Sequence, residues 1–314
     1  MKNNDRKSFN KMTVGTGIIC AVLILYAISV IALLLWGVIT SLKSNMDFMH
    51  MKNVIGLPNL EYSHDEVLKL GNYKLILDNF VFQQRTKFYS GATLVEKTAT
   101  LTIPILILNT IAYAGGGCVI LAFVPAITAY MCAKYKFKMS KVIYVVVILV
   151  MSIPIVGNQP AMLTLVRNLG IYDTFIGNYI QKFSFVGMYF LVFYAFFEDL
   201  PDSYAEAAEI DGASQFRVLT TIILPLAIKM LTTVMLIQFV TLWNDYETPL
   251  LYLPTHSTLA YGVYYMAFRN SSGKLSNVPA RVSACMILAV PILIVFLFLK
   301  DKLMGNISLG GVKE

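Results

Sequence analysis

From Val14 to Ile39 the chain runs for 26 residues without one charged side chain. At about 1.5 Å of rise per residue, a helix of that length crosses the ~30 Å hydrocarbon layer of a bilayer with room to tilt. A signal peptide also starts with basic residues, here Lys2, Arg6, Lys7 and Lys11. Its apolar stretch is about 7–15 residues long and ends at a small-residue cleavage site. This stretch is longer and has no such site, so it reads as a retained first span. The rest of the chain agrees: 57% of the 314 residues are hydrophobic, only 14% are charged, and mean hydropathy is +0.67. A soluble domain carries about a quarter charged residues, so this is an integral membrane protein. The net charge of +7 and pI near 9.1 are assigned to basic residues flanking spans. No basic stripe with interleaved aromatics points to nucleic acid.

Five further apolar segments follow, predicting an all-α membrane protein with six transmembrane helices. The second span lies within Ile103–Ala133, with Pro104 and Pro125 as places to bend and Gly115-Gly116-Gly117 permitting close helix packing. The third is Val142–Leu165, interrupted at Pro154 and at Gly157-Asn158-Gln159-Pro160; the fourth lies within Ile171–Phe197. The fifth is Leu226–Leu242 and the sixth Val282–Leu299. The predicted divisions are a 1–13 N-terminus, a first helix over 14–40, an extracytoplasmic segment 41–101, a core 102–304 and a 305–314 tail. Lys134, Lys136, Lys138 and Lys141 cluster after span two, as expected of the cytoplasmic side; the short outer loops keep Arg167, Lys182, Arg269, Lys274 and Arg281. Both termini are then cytoplasmic. The polar stretch from Lys43 to about Thr100 is too long for a simple connection and is expected to have structure of its own, as an external contact surface or an insertion.

The span cores lack Asp, Glu, Lys, Arg and His near their middles, which weighs against ion-coupled carriers and intramembrane enzymes. No Gly-x-x-x-x-Gly-Lys-Ser/Thr phosphate loop occurs, so ATP hydrolysis would have to be borrowed. Cys20, Cys118, Cys132 and Cys285 form no Cys-x-x-Cys pair, and His50, His64 and His256 are scattered, so no metal site is expected.

The longest patterned polar break in the second half is Glu198–Leu226. Pro201 suits a helix entry, and Ser203 with Glu206 reads as a capping box. Ala205, Ala207 and Ala208 favour helix, Asp211 and Gly212 end it, and a second helical run from Ser214 reaches Pro225. The plain reading is a capped connector between two spans. The spacing Glu206-Ala207-Ala208, three residues, Gly212, nine residues, Ile222-x-Leu224-Pro225 also resembles the EAA loop of ABC-importer permeases. Trp243-Asn244-Asp245-Tyr246 reads plainly as a pair of membrane-interface anchors, yet it resembles the Trp-Asn-Glu/Asp-aromatic element of the maltose-type carbohydrate permeases. Leu169-Gly170-Ile171-Tyr172-Asp173-Thr174 resembles a run of the same subfamily, and Gly310-Gly311-Val312-Lys313 resembles its ending. The likeness covers about two thirds of the chain, from Asn109 onward.

That resemblance implies a type I ABC importer permease, the second of two non-identical permease subunits, in a bacterial cytoplasmic membrane. It implies two ATPase subunits that carry ATP and magnesium, an extracytoplasmic solute-binding protein, a sugar as substrate, and surrounding lipid; this chain binds no cofactor itself. Glu206, Ala207, Ala208, Asp211, Gly212, Ile222, Leu224 and Pro225 would form the element that couples to the ATPase. Gly310–Lys313 would reach the ATPase interface, against the plain reading of a frayed tail. Asn158, Gln159, Gln238, Asn244 and Asp245 are candidates for lining the solute pathway, or else satisfy neighbouring helices. The alternatives are the same machine for a glycerol phosphodiester or polyol, and a secondary carrier or membrane enzyme.

Overall fold

The computed structural model describes residues 14–90, 93–135, 137–153, 157–269 and 275–304. Its chain forms two compact units, one of residues 1–78 with 272–287 and the other of 79–271 with 288–314.

In the first unit, helix α1 (Val14–Ser41) carries the uncharged run and leaves most of its side chains exposed, as a lipid-facing helix should. A π turn (Met46–His50) and helices α2 (Leu60–Leu68) and α3 (Gly71–Asn79) follow. They fold around polar groups. Asp47 is buried, accepting from Asn53 Nδ2 (2.9 Å), from the Asn59 N–H (2.9 Å) and from Ser63 Oγ (2.8 Å). Lys43, equally buried, donates to the Asn53 carbonyl at 2.7 Å. Asn72 Nδ2 ties α3 to the Ser41 and Lys43 carbonyls, and Ser283 Oγ donates to the Ser41 carbonyl at 3.1 Å.

The second unit begins with strands β1 (Val81–Ser90) and β2 (Thr93–Thr102), an antiparallel hairpin in which Val81 pairs with Thr102 and Ser90 with Thr93. The expected all-α fold is corrected here. One face alternates inward, with Phe82 opposite Leu101, Gln84 opposite Ala99, Thr86 opposite Lys97 and Phe88 opposite Val95. Three of these eight positions are polar, which hides the period of two, and two of them find distant partners: Gln84 Nε2 donates to Tyr261 Oη at 2.9 Å and Lys97 Nζ to the Asp173 carbonyl at 3.1 Å.

Strand β2 passes without a linker into α4 (Ile103–Lys134), a 32-residue helix containing Pro125. After α4 come α5 (Lys138–Ser152), α6 (Gln159–Asn168), α7 (Phe175–Lys182), α8 (Met188–Asp199) and α9 (Ser203–Ile210). A short α10 (Gln215–Val218) continues through a π turn (Leu219–Ile223) into α11 (Leu224–Trp243). Helix α12 (Glu247–Tyr252), a 3-10 turn (Pro254–His256), α13 (Leu259–Phe268) and α14 (Val278–Met304) complete the chain.

Among the described residues, four helices are long and apolar enough to span a membrane: Val14–Ser41, Ile103–Lys134, Gln215–Trp243 and Val278–Phe298. The third and fourth expected spans are each divided. Helix α5 ends at Ser152 and α6 starts at Gln159, after Gly157 at φ +82°; Gly187 is the N-cap of α8, which follows the end of α7 at Lys182. Helices α5 and α8, with 15 and 12 residues, extend only about 22 and 18 Å.

The core of this unit joins small to large surfaces. Ala122, Ala126 and Ala129 of α4 meet Phe190, Phe193 and Phe197 of α8, with Ala227, Leu231 and Val234 of α11 closing the cluster. Of the three glycines of α4, Gly116, which faces the Tyr179 ring, and Gly117 are close-packing positions, whereas a Cβ on Gly115 would meet nothing within 4 Å. A Cβ on Gly117 would lie 2.7 Å from Leu242 Cδ1 and 3.3 Å from Lys182 Cδ, so Gly117→Val should lower stability by about 1–3 kcal/mol, read from the thermal midpoint in detergent.

Candidate functional site

The 198–226 stretch forms a short helix, a turn and a second helix. The capping box is not formed. Asp202, not Ser203, is the N-cap of α9, and its side chain caps nothing there because it accepts from Lys134 Nζ at 2.7 Å. The end of α9 is a complete Schellman motif. The Ala213 N–H donates to the Ala208 carbonyl and the Gly212 N–H to the Glu209 carbonyl, both at 2.9 Å. Gly212 has φ +79°, a left-handed conformation that side chains with a Cβ adopt at a cost. Ser214 then caps α10, accepting from the Arg217 N–H at 3.4 Å.

The helix has two faces. Ala205, Ala208 and Ala213 pack against the core cluster, with Ile222 and Leu224 beyond them. Glu206, Ala207, Asp211 and Pro225 are exposed, Pro225 in the first turn of α11 directly after the π turn. Three apolar neighbours that the spacing pattern does not include share that exposure: Tyr204, Ile210 at 86% and Phe216 at 75%. Apolar residues set among acidic ones in a polar loop were the available signal. The loop is also held from below, since Gln215 Nε2 donates to Glu209 Oε1 at 2.5 Å.

The pathway candidates are dispersed over several elements. Asn158 is the exposed N-cap of α6, and Gln159 Oε1 accepts from Tyr252 Oη at 2.5 Å. Gln238 is half-buried on α11. Asn244 is exposed and donates back to the Val240 carbonyl at 2.9 Å. Asp245 accepts from Tyr113 Oη at 2.6 Å and from the Thr248 N–H at 3.0 Å. Lys182 joins the same group, its Nζ 3.2 Å from Tyr113 Oη and 4.6 Å above that ring. A cation taken for an outer-loop residue thus reaches into the helix packing, so the core is less free of charge than the apolar runs suggested. Trp243 is no interface anchor: it is buried and donates to the Leu288 carbonyl at 3.0 Å. Tyr246 stacks on Tyr264 at 4.8 Å. Gly310–Lys313 lie outside the described residues.

The Leu169–Thr174 run builds a polar hub at the turn between α6 and α7. Asp173, with φ +57° and no exposed surface, accepts from Thr255 Oγ1 at 2.5 Å and from the Thr255 N–H at 3.0 Å. Lys97 Nζ of β2 and His256 Nδ1 each lie 3.5 Å from it. Burial works to raise this carboxyl's pKa, but hydrogen bonds from His256 and Thr255 with the Lys97 charge outweigh it, and the group sits below its ordinary value. Burial likewise works to raise the Asp47 carboxyl, but hydrogen bonds from Asn53, Asn59 and Ser63, together with the Lys43 charge, outweigh it. Carboxyls depressed on folding contribute stability that is fully present above their unfolded pKa, near 4, and is lost as pH falls through the folded value. The thermal midpoint should therefore hold at neutral pH and fall in acid, and Asp173→Asn should flatten that acid limb.

Residues 123–307 match the model of the family described as binding-protein-dependent transport system inner membrane component. The chain is 23% identical over 293 residues to the diacetylchitobiose uptake system permease protein NgcG of Streptomyces coelicolor, covering 92% of this chain and 86% of that one. It is 24% identical over 245 residues to the trehalose/maltose transport system permease protein MalG of Thermococcus litoralis, covering 78% and 84%. It is 24% identical over 208 residues to the melibiose/raffinose/stachyose import permease protein MelC of Bacillus subtilis, covering 66% and 75%. In fold it is similar to a chain of a bacterial ABC transporter involved in importing the acidic polysaccharide alginate, with a TM-score of 0.68 and 20% identity over 94% of this chain and 98% of that one.

Proposed function

This chain belongs to the family of binding-protein-dependent transport system inner membrane components, and on that premise we propose that it is one of two non-identical permease subunits of an ATP-driven carbohydrate importer. It works in a bacterial cytoplasmic membrane with both termini inside, crossing six times, the third and fourth crossings being made by broken helices. A binding protein delivers the sugar from outside, and two ATPase subunits supply ATP and magnesium, so this chain needs no hydrolytic site.

The observation that carries the reading is the Ser203–Val218 helix–turn–helix. It buries one alanine face in the core and presents Glu206, Ala207, Ile210 and Phe216 outward. A protruding apolar patch edged by charge suits a partner protein's cleft. Closure of the ATPase pair would push this element and tilt α8 and α11, to which it is covalently joined, switching the pathway between two states. The tail around Gly310–Lys313 is assigned to the ATPase interface, and deleting 306–314 should lower solute-stimulated ATPase activity.

A saccharide substrate is supported by the relatives above, each of which bears a saccharide name. Asn158, Gln159, Gln238, Asn244 and Asp245 are the proposed pathway groups. The test is uptake by proteoliposomes holding both permeases and the ATPase, supplied with the binding protein and a panel of oligosaccharides or a glycerol phosphodiester. ATP-dependent uptake of a saccharide supports the reading. Uptake of the phosphodiester alone assigns another solute, and uptake without the ATPase makes the chain a secondary carrier.

A further inference from the structure

We propose that Lys134 and Tyr135 clamp the Ser203–Val218 element to the end of α4, so that α4 is driven directly when that element moves; this rests on the coupling role proposed above. The element is joined through the backbone to α8 on one side and α11 on the other. Helix α4 has no such link, although it packs between them. Apolar packing against α8 and α11 is non-directional and does not by itself tie α4 to the element. Directional bonds make that tie.

Two such connections meet at the last turn of α4. Lys134, its final residue, keeps only 14% of its side chain exposed. Its Nζ donates to the carbonyl of Leu200, the C-cap of α8, and, at 2.7 Å, to Oδ1 of Asp202, the N-cap of α9. Tyr135 Oη bonds to Gln215 Oε1, and Gln215 in turn donates to Glu209 Oε1 at 2.5 Å, so one chain of bonds runs from α4 through α10 to α9. Tyr135 is itself held in place: Tyr130 stands edge-on to it at 5.8 Å and edge-on to Phe197 of α8 at 5.4 Å. Charge-assisted bonds from a nearly buried ammonium are among the stronger ones a protein makes. At its other end α4 runs straight into β2, so the same rod reaches the hairpin and the Lys97–Asp173 contact.

The plain alternative is a lysine that neutralises carbonyls at a helix end and anchors a loop. An anchor changes melting; a transmitting contact changes coupling at unchanged assembly. The experiment uses the complete transporter in proteoliposomes with its binding protein, comparing wild type, Lys134→Gln/Tyr135→Phe and Lys134→Arg. The double variant should retain ATPase subunits at the wild-type ratio while stimulation of ATPase by the loaded binding protein falls about tenfold. Lys134→Arg, which keeps the charge and the reach, should restore it. Stimulation within about twofold of wild type in the double variant, or loss of the ATPase subunits, overturns the proposal: the first leaves an anchor, the second a docking residue. Tyr135→Phe alone removes one hydroxyl and is read the same way if the double variant does not fold. Ile210→Asp in the same preparation tests the coupling role itself, since normal ATPase retention and stimulation there would remove that premise independently.

Discussion

Asp173→Ala is expected to destabilise the protein by about 2–4 kcal/mol, because it leaves the buried Thr255 N–H and hydroxyl without their acceptor. Asp173 has no exposed surface; its carboxylate accepts from Thr255 and lies 3.5 Å from the His256 and Lys97 nitrogens, and Lys97 Nζ donates to the Asp173 carbonyl at 3.1 Å. Its backbone N–H also donates to the Tyr252 carbonyl at 3.0 Å, which sets φ at +57°. Alanine tolerates that left-handed conformation less well than aspartate, which adds to the loss. Asparagine tolerates that conformation and keeps one oxygen, so Asp173→Asn should cost less, about 1–3 kcal/mol. The check is the thermal midpoint in detergent with limited proteolysis of the β1–β2 hairpin, which should be cut sooner once Lys97 has lost the carboxylate and keeps only the residue 173 carbonyl. A midpoint for Asp173→Ala equal to wild type would show that the hub adds nothing to stability.

Gly212→Val should lower transport at least tenfold with little loss of protein, given the 1–3 kcal/mol typical of coupling between sites. Nothing lies within 4 Å of a Cβ built on Gly212, so no clash arises and the fold survives. The cost is in the backbone: φ +79° is a conformation that a β-branched residue resists. Relieving it breaks the paired bonds to the Ala208 and Glu209 carbonyls and re-aims α9 relative to α10. Asparagine suits a left-handed position, so Gly212→Asn should keep most of the activity. Solute uptake and ATPase stimulation measured together provide the check. Equal losses in Val and Asn variants would point to a side-chain contact at residue 212 instead of its backbone angle.

What was legible in the chain was whatever depends on neighbours in sequence. The uncharged run of α1, the apolar stretches of α4, α11 and α14, the end of α9 at Gly212 and the restart at Ser214 all follow from local patterns. What was missed depends on partners far along the chain. Ser203 and Glu206 have the spacing of a capping box, but Lys134, 68 residues away, engages Asp202 instead. The hairpin's inward face carries Gln84, Thr86 and Lys97, whose polarity blurred the alternation; Gln84 answers to Tyr261 and Lys97 to Asp173. Trp243 next to Tyr246 has the composition of an interface belt, and only the Leu288 carbonyl accounts for its burial. Lys182 reads as a loop cation until Gly117 is seen to leave room for its stem beside Tyr113.

The most direct test of the proposed coupling element is purification of the permease pair from membranes also containing its ATPase subunits, comparing wild type with Ile210→Asp and Glu206→Lys. Both side chains are exposed and make no packing contribution to the core cluster, so the permease pair should be recovered in equal amounts from all three. Wild type should retain the ATPase and both variants should lose most of it. Equal retention in all three would contradict the account, leaving residues 198–226 as a capped connector between two membrane helices.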